Sequence, residues 1–153
     1  MLETGTKIED FNIPTDRGHF TLSDYRGKNV VMFFFPRADT SGCTKEAIAF
    51  TSLLAEFDAA NTVVIGISKD TPEKQAKFRY KHNLECVLGS DHVTDICERF
   101  GVWVEKSMYG KSYMGIERST FLIDPDGKIT KIWRKVKVPG HAEDVLAQVQ
   151  AGG

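Results

Sequence analysis

Apolar and polar positions divide this chain into short solid runs and longer amphipathic stretches. Near the start, Phe11-Asn12-Ile13 and His19-Phe20-Thr21-Leu22 flank Thr15-Asp16-Arg17-Gly18, a pattern that predicts a β-hairpin. Ser23 to Lys28 reads as a polar turn. Asn29 to Phe35 then runs apolar without alternation, as a central strand covered on both faces does. From about Ser41 to Ala59, Ala47, Phe50, Leu54 and Phe57 recur at spacings of three and four and predict one helix with one apolar stripe. Thr62 to Ile67 is a second buried strand. Thr71-Pro72-Glu73 opens a helix, with Thr71 as cap and Pro72 in the first helical position, and the helix ends near His82-Asn83.

The second half is built from shorter pieces. Cys86-Val87-Leu88 predicts a short strand, and Val93, Ile96, Cys97 and Phe100 make a helical stripe that stops at Gly101. Val102 to Ile116 carries Trp103, Met108, Tyr109, Tyr113 and Met114 among Lys and Gly residues and reads as an ordered loop beside the Cys43 end of the sheet. Ser119 to Ile123 is a strand, Asp124-Pro125-Asp126-Gly127 a turn, and Lys128 to Lys137 an antiparallel return. A last helix spans about Ala142 to Val149. The sum is an α/β chain with a mixed central sheet flanked by helices in three layers, an N-terminal β-hairpin, and one domain over residues 1–153.

Composition removes several classes. The 41% hydrophobic fraction suits a packed core, and the net charge of −1 gives no electrostatic footprint for nucleic acid or an anionic membrane. The basic Lys128–Lys137 stretch alternates with Ile129, Ile132, Trp133 and Val136, as a strand with one solvated side does. The opening Met1-Leu2-Glu3-Thr4-Gly5 has no leader pattern and no apolar run reaches membrane-spanning length, so a soluble, cytoplasmic protein is expected. Three cysteines, Cys43, Cys86 and Cys97, make no disulfide framework. His19, His82, His92 and His141 are scattered, without metal-ligand spacing, and no metal or other cofactor is expected. Gly110-Lys111-Ser112 lacks the earlier glycine and the leading strand of a phosphate loop.

The chemistry concentrates at Cys43. Its segment, Pro36-Arg37-Ala38-Asp39-Thr40-Ser41-Gly42-Cys43, joins the end of a buried strand to the start of a helix. Unpaired N–H groups and the positive end of the helix dipole favour a thiolate at such a place, and the thiolate is the reactive form. Thr40 is placed to cap the helix or to aim its hydroxyl at the sulfur or a substrate oxygen. Pro36 ends the strand without offering an N–H, and Gly42 permits close approach of the backbone. Arg118 opens the Ser119–Ile123 strand and comes near Cys43 if that strand runs antiparallel to Asn29–Phe35. Glu46, one turn into the helix, either favours the dipole or orients Arg118 or a backbone group near the thiol. His141 fits a helix cap better than the partner of a Cys–His hydrolase.

Pro36-x-x-x-Thr40-x-x-Cys43 with a downstream Arg118 resembles the active site of the peroxiredoxins. Gly42-Cys43-Thr44-Lys45-Glu46-Ala47 and Glu117-Arg118-Ser119-Thr120-Phe121-Leu122-Ile123-Asp124 resemble the bacterioferritin comigratory protein, or peroxiredoxin Q, branch, and the likeness runs from Phe11 to the last helix. The resemblance implies a thioredoxin-like fold, often monomeric. It also implies reduction of hydrogen peroxide and organic hydroperoxides through Cys43, which becomes a sulfenic acid. Complete ionisation of an ordinary thiol gains only ~30-fold in reactive species, about 2 kcal/mol. A large rate therefore requires donors aimed at the two oxygens, for which Thr40, Arg118 and the Cys43 N–H are the candidates.

The chain also departs from that branch. Ile48 stands five residues after Cys43, where many members carry a resolving cysteine, and Phe78 and Arg79 stand where others carry one in the next long helix. Cys97 reads as core. Cys86 is the one remaining candidate resolver. The leading expectation is a one-cysteine cycle regenerated by thioredoxin, glutaredoxin or a small thiol. A two-cysteine cycle through Cys86, a redox sensor or adaptor, and a non-catalytic binding module are the alternatives.

Overall fold

The computed structural model describes residues 2–152. Among the described residues, nine strands and five α-helices follow in the order β1 (Asn12–Thr15), β2 (Gly18–Thr21), β3 (Asn29–Phe34), α1 (Ser41–Ser52), α2 (Leu54–Ala59), β4 (Thr62–Ser68), α3 (Pro72–His82), β5 (Val87–Ser90), α4 (Ile96–Arg99), β6 (Trp103–Met108), β7 (Lys111–Ile116), β8 (Ser119–Ile123), β9 (Ile129–Trp133) and α5 (His141–Gln150), with one 3-10 turn at Leu22–Tyr25. Seven strands form one sheet in the order β2-β1-β5-β4-β3-β8-β9, and β6 and β7 form a separate ribbon. β3, β4 and β5 are parallel, whereas β1–β2, β1–β5, β3–β8 and β8–β9 pair antiparallel. This mixed sheet with its N-terminal hairpin is the thioredoxin-like arrangement expected.

The solid apolar run of β3 has a direct cause. Val30, Met32 and Phe34 point into one core with Ile65, Ile67, Phe100 and Phe121, while Val31, Phe33 and Phe35 point into the other with Phe50, Phe57, Phe78 and Val145. Successive side chains of a strand face opposite ways, so a strand buried on both sides has no polar position to spare. The second core lies under α1, α2, α3 and α5. The first is closed by the short α4, the β1–β2 hairpin and the roots of β6 and β7, so one outer layer is largely not helical. Gly66 on β4 lies opposite Phe33, whose ring occupies the space of the missing side chain: a Cβ there would sit 2.5 Å from the ring edge.

Three expectations fail in detail. The single helix over 41–59 is two, broken at Leu53 (φ −105°, ψ 5°). Here the Ser52 hydroxyl donates to the Ala49 carbonyl at 2.8 Å, and Thr51 Oγ1 is taken by the Glu85 N–H and Cys86. Such side-chain bonds compete with the helix ladder. Val93 does not join the Ile96, Cys97 and Phe100 stripe but is 74% exposed. Residues 103–116 are not a loop but a β-ribbon, turned by Tyr109 and Gly110, both with positive φ (53° and 77°), as a two-residue hairpin turn requires. Only its root is covered, at Trp103 and Ile116, so the rest lacks the apolar/polar alternation that betrays a half-buried strand.

Candidate active site

β3 runs parallel to β4 and ends at Phe34, and the N–H of the next residue, Phe35, still bonds the Ile67 carbonyl at 3.0 Å. Pro36 follows with no N–H to continue the ladder, and the chain turns out toward α1. Two anchors fix this turn. The Ala38 N–H donates to Asp70 Oδ2 at 2.8 Å, and that oxygen also accepts from the Ser68 hydroxyl at 2.6 Å. Asp39, held at a left-handed φ of 65°, pairs with His82 Nε2 (2.8 Å) and Lys81 Nζ (3.0 Å) at the end of α3. The bonds to His82 and then Lys81 hold the Asp39 carboxyl below its ordinary range. None of these partners is local in sequence, and nothing in the chain order signals them.

Thr40 is the N-cap residue of α1 by its backbone, and its carbonyl accepts the Thr44 N–H at 2.9 Å. Its hydroxyl does not cap the helix, contrary to one expectation, but donates to the Arg37 carbonyl at 2.8 Å. The proton of that hydroxyl is thereby committed, and its lone pairs remain to accept a bond. Cys43 lies in the first turn of α1, where the leading amides have no carbonyl inside the helix. The residue is 1% exposed and borders the core that includes Ala47 and Phe50.

Burial alone would make this an inert thiol, but a cation faces it. The antiparallel β3–β8 register pairs Phe34 with Ser119 and so carries Arg118 to the Cys43 end of the sheet. Arg118 Nη2 donates to Cys43 Sγ at 3.3 Å, and Nη1 donates to Glu46 Oε1 at 2.7 Å. Gly42 makes room for this fork, since a Cβ there would lie 3.2 Å from Nη2. Its close approach is thus to the guanidinium of the chain itself. Burial works against the Arg118 charge, yet Glu46 and the Cys43 sulfur outweigh it and hold the guanidinium protonated. Glu46 is buried, its Oε2 has no hydrogen-bond partner among the described residues, and burial pushes its carboxyl up to about 7 in spite of Arg118. Of the roles considered for Glu46, the contact present is the one with Arg118.

The other candidates lie apart. Cys86, the candidate resolver, is buried beside the Thr51 hydroxyl, and burial pushes its thiol up to about 11. Thr51 follows Cys43 by eight residues of α1, about 12 Å along the axis, whereas a disulfide needs Cα atoms within ~7 Å. Cys97 is in the core on the opposite face of the sheet, its thiol raised by burial and by Asp91. Ile48 is 44% exposed on α1, and Arg79 ties α3 to the first hairpin through Asp16, at 2.6 Å from Nε. His141 opens α5 but does not cap it: Nε2 meets Thr120 Oγ1 at 2.8 Å, and burial lowers its pKa to about 4.

Comparison with known proteins agrees with this arrangement. A family model described as the AhpC/TSA family matches residues 4–132. The chain is 45% identical over 149 residues to a putative peroxiredoxin Bcp of Coxiella burnetii, covering 97% of this chain and 99% of that one. It is 46% identical over 146 residues to the peroxiredoxin Bcp of Bacillus subtilis, covering 95% and 93%. Among solved structures, the Xanthomonas campestris bacterioferritin comigratory protein, studied for alkyl peroxide reduction, matches with a TM-score of 0.87 at 41% identity over 92% of this chain and 90% of that one. A cysteine at a helix mouth, an arginine on its sulfur and this kinship lead to one conclusion: the chain belongs to the AhpC/TSA family, in the Bcp or peroxiredoxin Q branch of thiol-dependent peroxidases.

Proposed function

We propose that Cys43 is the peroxidatic residue of a one-cysteine cycle acting on hydrogen peroxide and organic hydroperoxides. The observation that carries this reading is the Arg118 guanidinium, 3.3 Å from Sγ and anchored on the far side by Glu46. The Cys43 thiolate attacks one peroxide oxygen; the S–O bond forms as the O–O bond breaks, and the other oxygen leaves as hydroxide or alkoxide and takes a proton. Arg118 Nη2 and the free amides of the first turn of α1 donate to oxygens whose charge is growing. Thr40, its proton engaged by Arg37, accepts the O–H of the incoming hydroperoxide and fixes which oxygen faces the sulfur. Pro36 shields the pocket wall. Such donors, fixed before the substrate arrives, need no rearrangement during the reaction.

The burial of Cys86 beside Thr51, and of Cys97 in the core on the other face of the sheet, supports regeneration by an external thiol, supplied by thioredoxin, glutaredoxin or a small thiol. Mass analysis after one equivalent of hydrogen peroxide tests both parts. The expected product is a sulfenic acid on Cys43, trapped by dimedone, with no internal disulfide, and Cys43→Ser is inactive. A Cys43–Cys86 linkage would overturn the one-cysteine cycle. An unreactive Cys43 would overturn the site.

A further inference from the structure

A groove of about 620 Å³ lies between the turn leading to Cys43 and the outer side of α3. Its contact with the active site is direct. Arg37 lines the groove, and its carbonyl is the group that holds the Thr40 hydroxyl. Ala38 and Phe78, also in its wall, pack in or against the core that contains Cys43. Tyr80, 88% exposed, forms an aromatic side.

The charges of the groove are unbalanced. Arg37, Lys74, Lys77 and Lys81 line it against two carboxylates, Asp39 and Asp70. Both carboxylates are occupied: Asp39 by Lys81 and His82, Asp70 by Ser68 and the Ala38 N–H. Arg37, Lys74 and Lys77 have no ion-pair partner among the described residues. Three unpaired cations around a concavity of small-molecule size, next to an aromatic wall, fit a ligand bearing carboxylates.

We infer that this groove binds the small reductant of Cys43, a cysteinyl peptide of low molecular weight carrying free carboxylates. This rests on the one-cysteine reading, which requires a thiol from outside the chain. The carboxylates lie on Arg37, Lys74 and Lys77, and the thiol reaches over the 38–40 turn toward Sγ. Its sulfur forms an S–S bond to Cys43 as the S–O bond of the sulfenic acid breaks, and the released hydroxide takes a proton to leave as water. A second thiol then attacks the sulfur of the first. Cys43 returns as thiolate, and two thiols have become one external disulfide.

The test begins with the reduced protein and S-methylglutathione, which carries two carboxylates and cannot exchange. Its titration should give saturable amide shifts at Ala38, Lys74, Lys77 and Tyr80, weakened by salt. Lys74→Glu with Lys77→Glu should lower that affinity about tenfold. The salt dependence of the unaltered protein reads the same contact if the double variant fails to fold. Next, protein oxidised by one equivalent of hydrogen peroxide is discharged by glutathione and, separately, by neutral 2-mercaptoethanol. The ratio of the two rates should fall about tenfold in the double variant. An absent or salt-insensitive shift, saturation elsewhere on the surface, or an unchanged ratio would overturn the groove assignment. Cys43 oxidation beside a silent groove removes this inference alone, whereas binding without Cys43 oxidation removes the peroxidase site and leaves the groove.

Discussion

Replacing Glu46 by glutamine tests the electrostatic core of the site. The carboxyl is buried, one oxygen bonds Arg118 and the other has no partner among the described residues. Burial raises its pKa from 4.5 to about 7, against the pull of Arg118. Below 4.5 both the folded and the unfolded chain hold the proton, so the group then gives its full contribution to stability. Between 4.5 and about 7 the folded chain keeps a proton that the unfolded chain has lost, and stability falls as pH rises. Above about 7 the whole contribution is gone. At 1.36 kcal/mol per unit this amounts to about 3 kcal/mol. Glutamine resembles the protonated carboxyl at every pH. Urea unfolding followed by Trp103 and Trp133 fluorescence should therefore show Glu46→Gln gaining about 3 kcal/mol on the parent protein between pH 4.5 and pH 8. Peroxide reduction should fall about tenfold only above about pH 7, where the parent's Glu46 is charged and the variant leaves Arg118 without that anchor; below about pH 7 the two proteins should match. A stability difference that does not change with pH would refute the reasoning, since it would mean that Arg118 fully compensates the buried charge.

Arg118→Met should cost about 100-fold in peroxide reduction, the worth of one well-aimed donor. Alkylation of Cys43 by monobromobimane, which reads thiolate alone, should fall by no more than about 30-fold, and equal losses in the two assays would refute the donor role. Gly42→Ala places a Cβ 3.2 Å from Nη2 and should displace the guanidinium, lowering kcat/KM several-fold with an unchanged urea midpoint. Gly66→Ala should do the reverse, because its Cβ meets the Phe33 ring at 2.5 Å in a packed core. A loss of about 1–3 kcal/mol on urea unfolding is expected.

Strong local signals made much of the architecture legible. The solid β3 run, the Thr71-Pro72 helix start, and the Asp124–Gly127 turn each carry their own physical cause, and all appear where expected. The ribbon of β6 and β7 was missed because its exposed strands carry no buried face to impose a period of two, although Tyr109-Gly110 is a two-residue turn. The helix break at Leu53 was missed because Thr51 is drawn away by Glu85 and Cys86, residues more than thirty positions on.

By itself the sequence determined that a thiol stands where a buried strand hands over to a helix, since apolar periodicity and proline placement act over a few residues. It also named Arg118, but not its distance. Only the tertiary structure decided that Arg118 grips both Sγ and Glu46, that the Thr40 hydroxyl turns to Arg37, and that Cys86 and Cys97 are both buried. The reason is physical: strand direction, and with it the end of the sheet at which a residue emerges, is set by pairing between segments some ninety residues apart. No local pattern encodes that pairing.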